Sequence, residues 1–271
     1  MDINIGFIGA GNMGSAMMKG ILASGIINPE NIYVHDIDKE KLETLKSENH
    51  INIASSNMEL VKKCDVIILA VKPNMAKAVL EPLKGMFDSG KLLVTIILGL
   101  PIKFYRKILG EKLKIIRTMP NTPALIGEGM ILMAYDAGVE ECDISMTRKL
   151  LECLGRVEVL DEKLMSGVTA VTGSSPAYVY IMIEAMADAA VQWGIPRSLA
   201  YKLAAQAVAG SAKMVLNTGK HPGVLKDEVC SPAGSTIEAV AALERNGFRH
   251  AIIDAMGECA RKAIEVGKMY E

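Results

Sequence analysis

Over the first 160 positions, short apolar runs alternate with amphipathic spacers. The runs are Ile3–Ala10, Asn31–Asp36, Asp65–Val71, Leu92–Leu98, Lys114–Met119 and Met130–Tyr135, rich in β-branched residues. Their apolarity is continuous rather than alternating, which marks strands buried on both faces of a parallel sheet. The spacers Asn12–Ser24, Lys39–Ser47 and a segment after Pro73 are long enough for crossover helices. Strand–helix alternation of this kind predicts a doubly wound α/β sheet with right-handed crossovers.

From residue 162 the pattern changes. Strand signals end and helical periodicity takes over, with helices expected at Ala177–Trp193, from Pro196 to about Asn217, at Ser235–Arg245 and at Arg249–Tyr270, and a loop over Lys220–Pro232. Gly194 and Gly219 are the stop signals, and Pro176 and Pro196 suit first helical turns. Ala185, Ala187, Ala189, Ala190, Ala204, Ala205, Ala207 and Ala209 allow close helix approach. Helices apolar almost all round need burial, and so short a segment cannot bury several by itself. The expected organisation is an α/β domain over 1–161 and an all-α dimerisation and substrate-binding domain over 162–271.

Composition narrows the function. The chain has 271 residues, half of them hydrophobic, which excludes disorder. Thirty Lys and Arg against 31 Asp and Glu give a net charge of −1. That balance argues against a nucleic-acid partner or a polybasic membrane surface. The five cysteines and four histidines are scattered without metal-ligand spacing, so no metal is expected. The run Leu92–Ile102 is too short to span a bilayer, and Met-Asp-Ile-Asn-Ile lacks a basic signal region. The expected location is cytoplasmic.

The first motif with chemistry is Gly9-Ala10-Gly11-Asn12-Met13-Gly14, which follows the strand ending at Ile8 and opens a helix. In a dinucleotide site the first glycine makes the tight turn, the second admits the pyrophosphate, and the third lets helix pack on strand. The free N–H groups of the helix start then face the phosphates. This context predicts a Rossmann-type dinucleotide-binding domain. Asp36 lies 22 residues beyond Gly14, where an acid chelates the ribose hydroxyls of NAD and repels a 2′-phosphate. Lys39 and Lys41 lie close enough to answer such a phosphate, so the residues leave both NADH and NADPH open.

Other candidates fall at strand ends, where ligands of open α/β sheets bind. Ala70-Val71-Lys72-Pro73 ends the third run and reads as a cofactor contact. Asn57 reads equally as a cofactor ligand or as the N-cap of a helix over Met58–Lys63. Arg117-Thr118-Met119-Pro120-Asn121-Thr122-Pro123 is a rigid loop at the same edge, as compatible with an ordinary turn as with an active site. Ser235 and Thr236 head a helix after a flexible Ala-Gly turn, a ready carboxylate pocket. The spacing of Ser235 and Glu238 also fits a capping box.

Together these residues resemble the pyrroline-5-carboxylate reductase family, with the match running over the whole chain. It is carried by the glycine-rich turn, by Ala70–Pro73, by Met119-Pro120-Asn121-Thr122-Pro123 and by Gly173-Ser174-Ser175-Pro176-Ala177-Tyr178. Most specific is the signature from Pro222 through Leu225, Val229, Cys230, Ser231, Gly234, Thr236, Ala239, Val240 and Leu243 to Glu244. The resemblance implies hydride transfer from NADPH or NADH to the imine carbon of 1-pyrroline-5-carboxylate, giving L-proline. It implies an interlocked helical homodimer, with dimers of the family often assembling into decamers. Cofactor contacts would fall on Ile8, Gly9, Ala10, Gly11, Asn12, Met13, Asn57, Ala70, Val71, Lys72 and Pro73. The substrate carboxylate would rest on the N–H groups of Ser235 and Thr236, with the Thr236 hydroxyl as the catalytic contact. Glu162 and Asp227 match positions lining the substrate pocket. Leu98, Ala233, Ser235 and Glu228 depart from the family's usual residues.

Two other readings belong beside this one. A β-hydroxyacid dehydrogenase would carry a lysine on the interdomain helix, but the helix from Ala177 has none before Lys202. A silent regulatory paralogue would be expected to lose the Ser235-Thr236 pocket, which is intact.

Overall fold

The structure is a computed structural model describing residues 3–270. Met1, Asp2 and Glu271 lie outside the described residues. The strands are β1 (Ile5–Ile8), β2 (Ile32–His35), β3 (Asn52–Ile53), β4 (Val66–Leu69), β5 (Leu92–Thr95), β6 (Lys114–Met119), β7 (Gly129–Tyr135) and β8 (Gly155–Val159). Among them run α1 (Asn12–Ala23), α2 (Lys39–Asn49), α3 (Asn57–Lys63), α4 (Ala76–Leu80), α5 (Ile102–Leu109) and α6 (Glu141–Glu152). Then follow α7 (Met165–Thr172), α8 (Ser175–Gln192), α9 (Arg197–Thr218), α10 (Pro222–Val229), α11 (Ser235–Arg245) and α12 (Phe248–Lys268).

The eight strands form one sheet in the order β3-β2-β1-β4-β5-β6-β7-β8. Successive residues serve opposite faces, as the pleat requires. Ile5, Phe7, Val66, Ile68 and Val94 pack with Met17, Met18 and Ile21 of α1 and Ile144 of α6. Ile8, Ile67, Leu69, Leu93 and Ile115 pack with Leu60 of α3, Leu80 of α4 and Tyr105 of α5. Both faces are covered, which explains the unbroken apolar runs of β1, β4 and β5.

The expectation of an all-parallel sheet needs one correction. β7 runs antiparallel to β6, then pairs in parallel with β8. Residues 120–128 are all that join β6 to β7, too few for a helical crossover. The segment after Pro73 is also not one crossover helix. It is broken into the five-residue α4 between two 3-10 turns, with Pro82 in the second. β8 escaped prediction because its solvent-facing Arg156 and Glu158 interrupt the apolar run.

The chain divides into two compact units, one reaching Gly173 and resuming at Cys259, the other Ser174–Glu258. In the second unit the predicted helices form, but the expected loop over Lys220–Pro232 contains α10. Pro222 supplies its first position and the His221 ring accepts a hydrogen bond from the Gly223 N–H at 3.0 Å. Within α8 and α9 only Ala187, Ala200 and Ala204 are buried, while Trp193 is 79% exposed and Tyr180, Ile181 and Leu216 stand open. That much unburied apolar surface on packed helices matches the expectation that another copy covers it. Among the described residues no helix is long and apolar enough to cross a membrane.

Candidate active site

The glycine-rich turn has the geometry its three glycines were expected to provide. Gly9 adopts φ +97°, and a Cβ there would lie 2.8 Å from the Ala70 carbonyl oxygen. A Cβ on Gly14 would lie 2.7 Å from the Gly9 carbonyl oxygen and 3.1 Å from the Ala70 Cβ. These two glycines therefore bring the turn, α1 and the end of β4 into contact. Gly11 is different: a Cβ there would meet nothing within 4 Å. Its open side is a cradle, and Gly11 is also the N-cap of α1 with no side-chain cap. The first N–H groups of α1 are left for an anion.

Asp36 closes the far side of this turn. Its Oδ2 accepts the Ala10 N–H at 2.6 Å and its Oδ1 accepts the Asp38 N–H at 3.0 Å. The Gly9 N–H donates to the His35 carbonyl at 2.9 Å. Asp38 in turn caps α2 by accepting from the Lys41 N–H. Lys41 shares with Asn12 and Ser15 an open groove of about 890 Å³ between α1, α2 and residues 124–127.

Asn57 is not the N-cap of its helix. Ser56 is, accepting the Glu59 N–H at 3.2 Å, and Asn57 is the first helical residue. Its Oδ1 is buried without a hydrogen-bond partner. An orphaned acceptor of this kind is costly unless a ligand satisfies it. Glu59 holds this helix start: it pairs with Lys63 at 2.8 Å and accepts the Ser55 N–H at 2.7 Å. The Lys63 hydrogen bond, then the Ser55 contacts, bring the Glu59 carboxyl down to about 2. Lys72 is exposed at the end of the β4 crossing, without an ion-pair partner among the described residues, and Pro73 begins a 3-10 turn.

The Met119–Pro123 loop is fastened by its asparagine. Asn121 Nδ2 donates to the Thr172 carbonyl at 3.0 Å, and its Oδ1 accepts the Met130 N–H at 2.9 Å. That use is structural. Arg117, two residues before Met119, is buried at 4% exposure and pairs with Glu162 at 3.3 Å. Glu162 also accepts the Ile102 N–H, at the first position of α5, at 2.6 Å. The two residues stand 45 positions apart in the sequence, with nothing local to link them. The signal was a lone arginine inside the apolar run Lys114–Met119, since a buried guanidinium needs a carboxylate.

In the second unit, α11 begins at Ser235, but its N-cap is Gly234, without a side-chain cap. The Ser235–Glu238 capping box does not form, because Ser235 already lies inside the helix. The N–H groups of its first turn are thus left without a capping side chain. Thr236 is half-buried, and its hydroxyl has no protein partner among the described residues. The turn before it places Ala233 at φ +57°, and the Gly234 N–H donates to the Ser231 carbonyl at 3.0 Å. Asp227, on α10, is exposed and ion-paired with Lys226 at 2.9 Å.

Cys64 is buried in the core, where loss of hydration pushes its thiol up to about 12. Burial likewise raises Tyr105, whose hydroxyl bonds Thr95 Oγ1 at 2.7 Å. Neither group is a nucleophile at neutral pH.

Relatives covering nearly the whole chain belong to one family. Residues 162–266 match the family model described as pyrroline-5-carboxylate reductase dimerisation, and residues 4–99 the model described as NADP oxidoreductase coenzyme F420-dependent. The pyrroline-5-carboxylate reductase of Escherichia coli (strain K12) is 47% identical over 99% of this chain and 100% of its own. That of Arabidopsis thaliana is 38% identical over 98% of this chain and 96% of its own. Among solved structures, Plasmodium falciparum pyrroline carboxylate reductase with NADP bound has a TM-score of 0.88 and 36% identity, covering 98% of each chain. The Coxiella burnetii pyrroline-5-carboxylate reductase has a TM-score of 0.92 and 30% identity, covering 98% of this chain and 99% of its own.

Proposed function

The chain belongs to the pyrroline-5-carboxylate reductase family, and from that premise we propose which of its residues carry the reaction. The protein is an NAD(P)H-dependent oxidoreductase that reduces the C=N bond of 1-pyrroline-5-carboxylate to give L-proline, the last step of proline biosynthesis. Its helical region is a dimerisation domain, which makes the protein a homo-oligomer.

One observation carries the assignment of roles: α1 and α11 both begin on a glycine N-cap with no side-chain cap. Each helix start offers free N–H groups and partial positive charge to an anion. We assign the first to the cofactor pyrophosphate. Ile8 to Gly14 form the cradle, with Gly11 at the point of closest approach. The orphaned Asn57 Oδ1 would accept a cofactor hydrogen bond, Ala70 to Pro73 would contact the cofactor, and Asp36 would meet the adenosine ribose. The bound, reduced nicotinamide supplies hydride.

The second helix start holds the substrate carboxylate on the Ser235 and Thr236 N–H groups, with the Thr236 hydroxyl as a further donor. Glu162 and Asp227 line the substrate pocket. A protonated imine is already a good electrophile, so the chain needs no strong general acid. Its contribution is orientation, which can supply several kcal/mol of the barrier. The functional boundary falls at 161/162, a reading supported by where the dimerisation match begins. The protein acts in the cytoplasm on a small molecule, without nucleic acid, membrane or metal. Its dimers assemble further, into decamers.

The test is oxidation of NADH and of NADPH, in parallel, with 1-pyrroline-5-carboxylate, on the wild type and on Thr236→Ala. Loss of one hydrogen bond to a charged group costs about 1.5–3 kcal/mol, so the variant should show a higher KM and a lower kcat. Unchanged kinetics would remove Thr236 from the site.

A further inference from the structure

A cavity of about 340 Å³ opens beside the loop leading into α5, lined by Gly99, Pro101, Arg117, Glu162, Lys163 and Ser166, among others. At its wall, Glu162 is held on one side only. The Arg117 guanidinium at 3.3 Å and the Ile102 N–H at 2.6 Å both engage Oε1. Oε2 has no protein partner among the described residues. The adjacent Lys163 does not neutralise this carboxylate, because it pairs with Asp161 at 2.8 Å. Arg117 has no other carboxylate partner among the described residues. The nearby Tyr105 hydroxyl is kept neutral by burial and bonded to Thr95.

A guanidinium buried in a sheet is an expensive way to hold a surface turn. It is a good way to fix one oxygen of an ionised carboxylate and leave the other free. The start of α5 adds its own partial positive charge behind the same oxygen. A carboxylate so held complements a cation, and the substrate's cation is the protonated ring nitrogen. We propose that Arg117 is a positioning residue: with the Ile102 N–H it pins Glu162 Oε1, so that Oε2 accepts a hydrogen bond from the ring N–H of the protonated imine. The product's ring ammonium meets the same oxygen. This inference rests on the assignment of Glu162 to the substrate pocket and deepens it by naming the atom read.

The experiment compares wild type with Glu162→Gln, Arg117→Met, Arg117→Lys and the double variant Glu162→Gln/Arg117→Met. Two readouts are taken: kcat/KM for the imine, and competition by L-proline and by cyclopentanecarboxylate. The two competitors share ring size and carboxylate and differ at the ring nitrogen. Glu162→Gln and Arg117→Met should each weaken L-proline by about tenfold while moving cyclopentanecarboxylate by less than about twofold. The double variant should fall no further in kcat/KM than Glu162→Gln alone, because both changes disable one contact. Arg117→Lys, which restores charge without the planar fork, should fall between wild type and Arg117→Met. Should Arg117→Met not fold, Arg117→Lys decides by weakening L-proline alone or both competitors together. Wild-type behaviour of Glu162→Gln would overturn the pocket assignment itself. Selective weakening in Glu162→Gln, with equal weakening of both competitors in the Arg117 variants or a loss in the double variant equal to the product of the single losses, would leave that assignment standing and overturn the role of Arg117.

Discussion

The carboxylate of Asp36 accepts the backbone N–H of Ala10 at 2.6 Å, tying the end of β2 to the glycine-rich turn. Its other oxygen takes the Asp38 N–H, so a single side chain sets the height of the turn and the start of α2. The negative charge remains at the strand end, where a 2′-phosphate would sit.

Asp36→Asn keeps one acceptor for the turn and removes that charge. Repulsion between a carboxylate and a phosphate at a partly exposed site is worth about 1–2 kcal/mol. The ratio of kcat/KM with NADPH to kcat/KM with NADH should therefore rise about tenfold in the variant. Steady-state kinetics with both cofactors checks this, and an unchanged ratio would confine Asp36 to holding the turn.

The three glycines of the turn should separate into two classes. A Cβ at Gly11 meets nothing within 4 Å, so the methyl groups of Gly11→Val should cost no more than about 1 kcal/mol of stability, the loss of a favoured N-cap residue. Dinucleotide affinity should fall by at least about tenfold, because those groups occupy the pyrophosphate cradle. Gly14→Ala meets backbone at 2.7 Å and should instead cost about 1–3 kcal/mol of stability. Denaturant melts and cofactor titrations on both variants distinguish the classes. Tight NADPH binding by Gly11→Val would falsify the cradle.

Local chemistry made that turn legible in the sequence, since each glycine answers to a backbone angle or a contact within one βα unit. The lone arginine in β6 was legible as an oddity, but its partner lies 45 residues away and is reached only through tertiary folding. Asn121 looked like a candidate for chemistry because rigid loops at strand ends often carry it. Both ends of its amide are instead spent on Thr172 and Met130. The two-residue β3 and the alternating β8 carry too little apolar signal to be read as buried strands. The helix over Ser235–Arg245 starts where the sequence places it, but Gly234 rather than a serine takes its cap, and at Asn57 the cap falls one residue earlier, on Ser56. A one-residue shift matters here, because it turns a capping side chain into a group free to meet a ligand.

Acid should loosen the start of α3 through Glu59. Its folded carboxyl titrates at about 2, against an ordinary 4.5, first because of the Lys63 hydrogen bond and then the Ser55 contacts. A depressed carboxyl contributes stability that is present above about 4.5 and lost as pH falls through about 2. Glu59→Gln should thus be less stable than wild type at pH 6, with the gap narrowing below about 4.5 and closing toward about 2. Urea midpoints of the two proteins across that range give the comparison. A gap constant with pH would assign the effect to something other than the charge.

Ala233 occupies the left-handed region at φ +57°, in the turn that delivers the backbone to the N-cap of α11. An L-residue with a Cβ pays roughly 1–2 kcal/mol for that conformation. Glycine there escapes the penalty but gives the unfolded chain more freedom, at roughly 0.5–1 kcal/mol. The first effect is the larger, so Ala233→Gly should stabilise by about 0.5–1 kcal/mol and raise Tm by roughly 1–4 °C at fixed protomer concentration. Gly234 would still cap the helix, so the N–H groups of Ser235 and Thr236 should keep their direction and KM for the imine should move by less than about twofold. Thermal melts with parallel kinetics measure both. A lower Tm would mean that the Ser231–Gly234 turn over-determines the Ala233 conformation at no cost, and that the strain read from its φ is not stored there.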